Sequence, residues 1–147
     1  MNEPWFPAAG IGGIWVANVS GNNMTFLSLT GSTVNSETNY GSSASVNAPH
    51  YIAVDGVGNV WAANKSSGSV AEFSSAGAIL SPGTGFAHNG ISGGEGITLD
   101  PSGNIWVADD TTSGADGFSV FEIVGAAAPT VTPIALALKN SAVAKKP

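Results

Sequence analysis

Cysteine is absent from the 147-residue chain, which excludes disulfides, thiolate metal sites and cysteine nucleophiles together and leaves the redox compartment open. Positive charge is scarce as well. Four Lys plus Arg stand against ten Asp plus Glu, for a formal net charge of −6, and Lys139, Lys145 and Lys146 all crowd at the C-terminus. Lys65 is therefore the one basic residue in the body of the chain. Nucleic acid and anionic membranes are bound through clustered cations, so neither is expected as a partner. No apolar run approaches the roughly 18 residues of a membrane-spanning helix. The segment Met1 to Pro7 lacks the basic start and apolar stretch of a signal peptide, so no compartment follows from it. Charged residues make up only 10% of the chain, too few for a disordered tail or a helical bundle.

What is present is glycine, 20 residues of it, within a chain that is 43% hydrophobic and otherwise rich in Ser, Thr, Asn, Val and Ala. That is an all-β composition with many tight turns. The tryptophans then give a period. Ile14-Trp15-Val16-Ala17-Asn18, Val60-Trp61-Ala62-Ala63-Asn64 and Ile105-Trp106-Val107-Ala108-Asp109 are three copies of one strand, spaced 61 − 15 = 46 and 106 − 61 = 45 residues. Tyr51 to Asp55 and Gly96 to Asp100 precede the second and third copies. Met24 to Leu27, Val70 to Phe73 and Val120 to Ile123 follow the three in turn. A repeat of about 45 residues with three or four short strands is the size of one propeller blade.

The turns inside the repeat have a mechanism. In Asp55-Gly56-Val57-Gly58-Asn59 and Asp100-Pro101-Ser102-Gly103-Asn104, the Asp can accept bonds from the turn backbone, Pro101 pre-sets its φ, and glycine accepts a positive φ. The Trp strands are apolar on both faces, as strands are when a sheet is covered on both sides. Trp15, Trp61 and Trp106 are accordingly expected to be buried and equivalent. The alternative for them, stacking on sugar rings, would need exposure.

The pattern Pro49-x-x-Ile52-Ala53-Val54-Asp55-x-x-Gly58-Asn59-Val60-Trp61-x-Ala63-Asn64, then Ser69-Val70-x-Glu72-Phe73, resembles the NHL-type repeat of six-bladed bacterial propellers and is similar to the repeats of the streptogramin B lyase family. The likeness covers about residues 10 to 138. It implies an all-β partial propeller of about three four-stranded antiparallel blades, near 10–47, 48–94 and 95–138, between a degenerate segment 1–9 and a short tail 139–147. Glu3 to Gly10 carries two prolines and does not match Tyr51 to Asp55, so the first blade is expected to lack a good innermost strand. Closed propellers typically have four to eight blades. The chain reads as the C-terminal half of a longer propeller; taken as written, two copies could build a six-bladed ring and so cover the apolar end faces.

Chemistry is expected at one mouth of the channel. His50 and Glu95 hold the same repeat position, 95 − 50 = 45, and so should project from adjacent blades at one rim. A His with a carboxylate suits proton transfer or a divalent cation, and equally suits bonding to loop backbone. Tyr51, beside His50, and His88, in a connecting segment, are candidate binding residues. The third blade carries five extra residues after its Trp strand, in a loop from Asp109 to Gly117 that contains Asp109, Asp110 and Asp116. Clustered carboxylates suit Ca²⁺, although the spacing is not that of an EF-hand.

Two functions from different classes follow. The first is a non-enzymatic repeat scaffold presenting a propeller face to a protein, peptide or glycan. The second is implied by the lyase resemblance: metal-assisted elimination that opens a cyclic ester, with a His base and carboxylate-held Mg²⁺. Ala48-Pro49-His50-Tyr51-Ile52 is similar to that family's Pro-His-Gly-Ile element, with Tyr51 in place of Gly, and Glu95 would be an acidic ligand.

Overall fold

The computed structural model describes residues 1–32, 40, 45–87, 91–111 and 118–130. Ten strands and no helix are found among them. The first sheet is β1 (Pro4–Gly10), β2 (Gly13–Asn18) and β3 (Asn23–Ser28), in the order β1-β2-β3. The middle sheet is β4 (Pro49–Val54), β5 (Val60–Asn64), β6 (Ser69–Phe73) and β7 (Phe86–Ala87), again in chain order. The third is β8 (Gly94–Leu99), β9 (Ile105–Asp109) and β10 (Ser119–Ile123), with β9 in the centre. Every pairing is antiparallel. A fourth strand is present in the middle sheet alone among the described residues. At the outer edge of the first sheet, Tyr40 makes an isolated bridge to Met24.

The repeat turns form as their residues dictate. Asp55 Oδ1 accepts the backbone N–H groups of Val57 (3.1 Å) and Asn59 (2.8 Å). Asp100 Oδ1 does the same for Ser102 (2.8 Å) and Asn104 (3.1 Å). The other carboxylate oxygen in each turn accepts the indole N–H of the following Trp strand, Asp55 from Trp61 at 3.3 Å and Asp100 from Trp106 at 3.2 Å. One side chain therefore closes the hairpin and sets the tryptophan. The first sheet has Gly10 at the corresponding position, and a Cβ there would lie 2.7 Å from Trp15 Cδ1.

The first sheet departs from expectation. Pro4–Gly10 is a full strand paired with β2, not a degenerate segment. Its register shifts between Pro4 and Phe6, so that Pro4 faces Asn18 and Pro7 faces Val16, two residues apart on β2. The shift puts both prolines in the same phase of the ladder. Proline is tolerated on edge strands, where one side has no partner to bond, and β1 is such an edge.

The sheets stack front to back. The front of the first sheet, with Trp15, Ala17 and Met24, meets Ile52, Val60, Ala62 and Phe73 of the middle sheet. The front of the middle sheet, with Trp61 and Val70, meets Ile97, Ile105 and Val107 of the third. Trp15 and Trp61 are each 1% exposed. Trp106 is 37% exposed, which overturns the expectation that all three indoles are equally buried. The reason is positional: each Trp is covered by the sheet that follows it, and among the described residues no sheet follows the third.

Candidate functional site at the rim of the innermost strands

The innermost strands β1, β4 and β8 run side by side, with β4 in contact with both others. Each shifts register against its partner at the same place, between Pro4 and Phe6, Pro49 and Tyr51, and Gly94 and Gly96. The residues set off by the three bulges are Trp5, His50 and Glu95, one repeat apart. Bulges re-aim a side chain away from the regular pleat, and here they align three in a row. The Trp5 and His50 rings lie 5.2 Å apart between centroids, tilted by 39°. His50 Nδ1 and Glu95 Oε1 are 3.0 Å apart. Trp5 is 49% exposed, whereas His50 is buried.

The row continues as an ion-pair chain. Lys65 Nζ lies 2.7 Å from Glu95 Oε2 and 3.3 Å from Asp110 Oδ2. Close contact with Glu95 is the main influence holding the Lys65 ammonium above its usual range; partial burial pulls the other way, and Asp110 adds to the increase. With Glu95 accepting from Nδ1–H, Nε2 is the basic nitrogen of the neutral imidazole. The chain of groups straps the middle sheet to the third at the rim.

The remaining candidates divide. Tyr51 is half-buried with its ring 4.6 Å from that of Phe6, so it packs along the inner strands. Asp109 is buried, and its carboxylate is directed at its own surroundings: it accepts from Ser92 N (2.6 Å), Gly93 N (3.3 Å), Thr111 N (2.9 Å) and Thr111 Oγ1 (2.8 Å). Burial raises the Asp109 pKa, but these bonds outweigh it and hold the carboxyl below its ordinary value. Asp110 is exposed and turned to Lys65. Asp116 and His88 lie outside the described residues. Among the described residues no three His, Asp or Glu side chains gather in a way that could hold a metal ion. The two carboxylates of the rim chain, Glu95 and Asp110, have the Lys65 ammonium between them.

Two members of the rim, Trp5 and Lys65, escaped sequence reasoning. The register that linked His50 to Glu95 would have found Trp5 if counted back one repeat, 50 − 5 = 45, and would have tied Lys65 to Asp110, 110 − 65 = 45.

No protein-family model and no curated protein matches the sequence. Solved structures do. A streptogramin B lyase structure aligns with a TM-score of 0.59 at 19% identity, covering 82% of this chain and 40% of that one. Selenomethionine-substituted virginiamycin B lyase from Staphylococcus aureus aligns with a TM-score of 0.58 at 18% identity, covering 82% of this chain and 41% of its own. The likeness establishes the fold, an all-β partial β-propeller whose three sheets are its blades. The chain spans about two fifths of the length of either structure.

Proposed function

We propose that the chain is a non-enzymatic binding module built of NHL-type blades, whose ligand, a peptide, protein or glycan, lies across the rim row Trp5, His50 and Glu95. The observation that carries this reading is the bulge repeated at one position in all three innermost strands. It presents an exposed indole beside an imidazole and a carboxylate. An indole face suits a sugar ring or a proline, and the polar neighbours suit the hydroxyl or amide groups around it. The ionic groups behind it are already paired with one another, Glu95 with His50 and Lys65, and Lys65 with Asp110. That arrangement favours a firm platform over a set of vacant cation ligands.

A second reading keeps one specific observation in its favour. His50, in the Pro49-His50 element, has Nδ1 held by Glu95 at 3.0 Å. A histidine oriented in this way by a carboxylate is a competent general base, as a lyase of a cyclic ester requires.

One pair of assays decides between them. Tryptophan emission is followed while a neutral glucan hexamer and, separately, a proline-rich decapeptide are added to the parent and to Trp5→Ala. Saturable binding of either probe, lost in Trp5→Ala while the far-ultraviolet spectrum is unchanged, supports the module. No saturable change with either probe, or an equal change in Trp5→Ala, overturns it. Mg²⁺-dependent opening of a streptogramin B-type cyclic ester, abolished in His50→Ala, would replace the module with the lyase.

A further inference from the structure

The rim row carries two polar atoms that the fold does not use. Trp61 and Trp106 each donate the indole N–H to a turn aspartate, Asp55 at 3.3 Å and Asp100 at 3.2 Å. Trp5 differs: its indole N–H has no acceptor among the described residues, and the residue is half exposed. His50 supplies the second atom. Its Nδ1 is engaged by Glu95 at 3.0 Å, so Nε2 of the neutral ring is an acceptor. Among the described residues Nε2 accepts no bond, yet it is not one of their buried atoms left without a partner, and the side chain is 11% exposed. Nε2 therefore opens to solvent, on a ring whose centroid lies 5.2 Å from that of Trp5. The row offers an apolar ring face with one free donor and one free acceptor beside it.

The charge of the same rim is negative. Ser20 holds the repeat position of Lys65, 65 − 20 = 45, and its hydroxyl bonds the Glu3 carboxylate. Glu3, Glu95 and Asp110 thus stand along the rim against Lys65, 1 − 3 = −2 with the imidazole neutral. An anionic ligand would meet like charge there.

We propose that the ligand of this row is a neutral glycan, with one pyranose ring lying on the Trp5 indole and its hydroxyls answering both open atoms. The proposal rests on the binding-module reading of the rim and narrows it. A hydroxyl donates and accepts, so it serves Nε2 and the indole N–H alike, and in a sugar it is attached to the ring that stacks. A proline ring has the apolar face but no donor, because its nitrogen carries no hydrogen. A lysine or arginine head can donate to Nε2 but has no acceptor for the indole N–H. The carboxylates it would seek are already engaged, Glu95 by His50 and Lys65, and Asp110 by Lys65.

Calorimetric titration of the whole chain tests it, with neutral hexamers of glucose, mannose and N-acetylglucosamine, a hexauronate, and proline-rich and lysine-rich decapeptides. The expected result is saturable binding of at least one neutral hexamer, binding of the hexauronate weaker by about tenfold or more, and no binding of either peptide. His50→Phe keeps an aromatic ring beside Trp5 but has no acceptor, and should weaken the bound hexamer about tenfold, the contribution of one well-made hydrogen bond. Imidazole ¹⁵N spectra of the parent read the same contact without a substitution. The chain has two histidines, and loss of one set of signals in His50→Phe assigns them; the hexamer should move the Nε2 resonance of His50. Binding of a peptide with no hexamer bound would overturn the glycan and leave the rim as a binding site, whereas no binding of any probe would overturn the rim reading with it. An Nε2 resonance that a bound hexamer leaves in place, or a hexauronate bound as tightly as the neutral hexamer, would also overturn the proposal.

Discussion

The strands β5 and β9 carry nearly the same sequence, Val-Trp-Ala-Ala-Asn and Ile-Trp-Val-Ala-Asp, yet β5 is buried at all five positions while β9 alternates buried and exposed. The difference lies entirely in the neighbours. β5 sits between two sheets, and β9 has a sheet on one side. A strand apolar on both faces is therefore made for cover on both, and burial is a property of the stack. The corresponding outer strands agree, with β6 almost wholly buried and β10 alternating half-buried and exposed.

The sharpest way to break this comparison is to shorten the two tryptophans. Trp61→Ala removes the largest side chain from the junction of the middle and third blades, and is expected to cost about 3–5 kcal/mol, transfer and cavity terms together. Trp106→Ala is expected to cost at most about half as much, because water already reaches the ring and no cavity is enclosed. Urea unfolding of the two variants reads the gap. Equal losses would mean that the front of the third blade is covered in solution.

The turn aspartates sharpen the same contrast at a smaller scale. Asp55 is buried, and besides Val57, Asn59 and Trp61 it accepts from Ala128 N at 3.1 Å, a bond that ties the segment after β10 back to the middle blade. Asp55→Ala would leave the buried Trp61 indole N–H, and the part-buried N–H groups of Val57, Asn59 and Ala128, without their acceptor, at about 1–3 kcal/mol. Asp100 makes the corresponding turn bonds, but its other partners are the exposed Trp106 and its own turn residue Asn104. Asp100→Ala is expected to lose less, because water replaces it. The same urea series ranks the two, and the reverse order would show that the Asp55 link to Ala128 contributes little.

Much of this was legible in the sequence because a repeat states each structural decision three times. The hairpin turns, the strand positions and the rim register of His50 with Glu95 all follow from residues one period apart. The first blade was misread because Pro4 and Pro7 were treated as breakers. A bulge that sets both prolines in one phase of an edge strand is visible only once β2 lies beside them. The exposure of Trp106 was missed because a period says that positions are equivalent and not that their neighbours are. Trp5 was missed for the opposite reason, since the period did reach it but the misread strand hid it. Lys65 was singled out only as a lone cation. Its place between Glu95 and Asp110 depends on how two loops of adjacent blades approach, which strand patterning does not encode.

The smallest expected effect concerns Asn64 and Asp109, which hold one repeat position, 109 − 64 = 45. Both fasten the segment that enters the innermost strand of their blade. Asn64 does so with an amide, donating to Ser45 O (2.8 Å) and Ser69 Oγ (3.1 Å) and accepting from Asn47 N (3.2 Å). Asp109 does so with a carboxylate that only accepts, from Ser92, Gly93 and Thr111. The middle clasp is therefore indifferent to pH and the third is not. Since the folded Asp109 carboxyl lies below its ordinary value of 3.8, its contribution to stability is fully present above that value and is lost as pH falls through the folded pKa. Glu72 runs the opposite way. Burial first, and then the charge of Asp55, raise its pKa against an opposing bond from Asn59, so folding gains as pH drops from above its folded pKa toward its unfolded one. Subtracting the stability curve of Asp109→Asn from that of the parent cancels Glu72 and isolates the clasp. The difference is expected to be flat from neutral pH down to the ordinary carboxyl range and to shrink only as pH falls below it, whereas Asn64→Ala should lower stability by the same amount at every pH. A parent-minus-variant difference that stays constant into acid would show that the Ser92, Gly93 and Thr111 bonds do not favour the ionised carboxylate, and would remove the distinction between the two clasps.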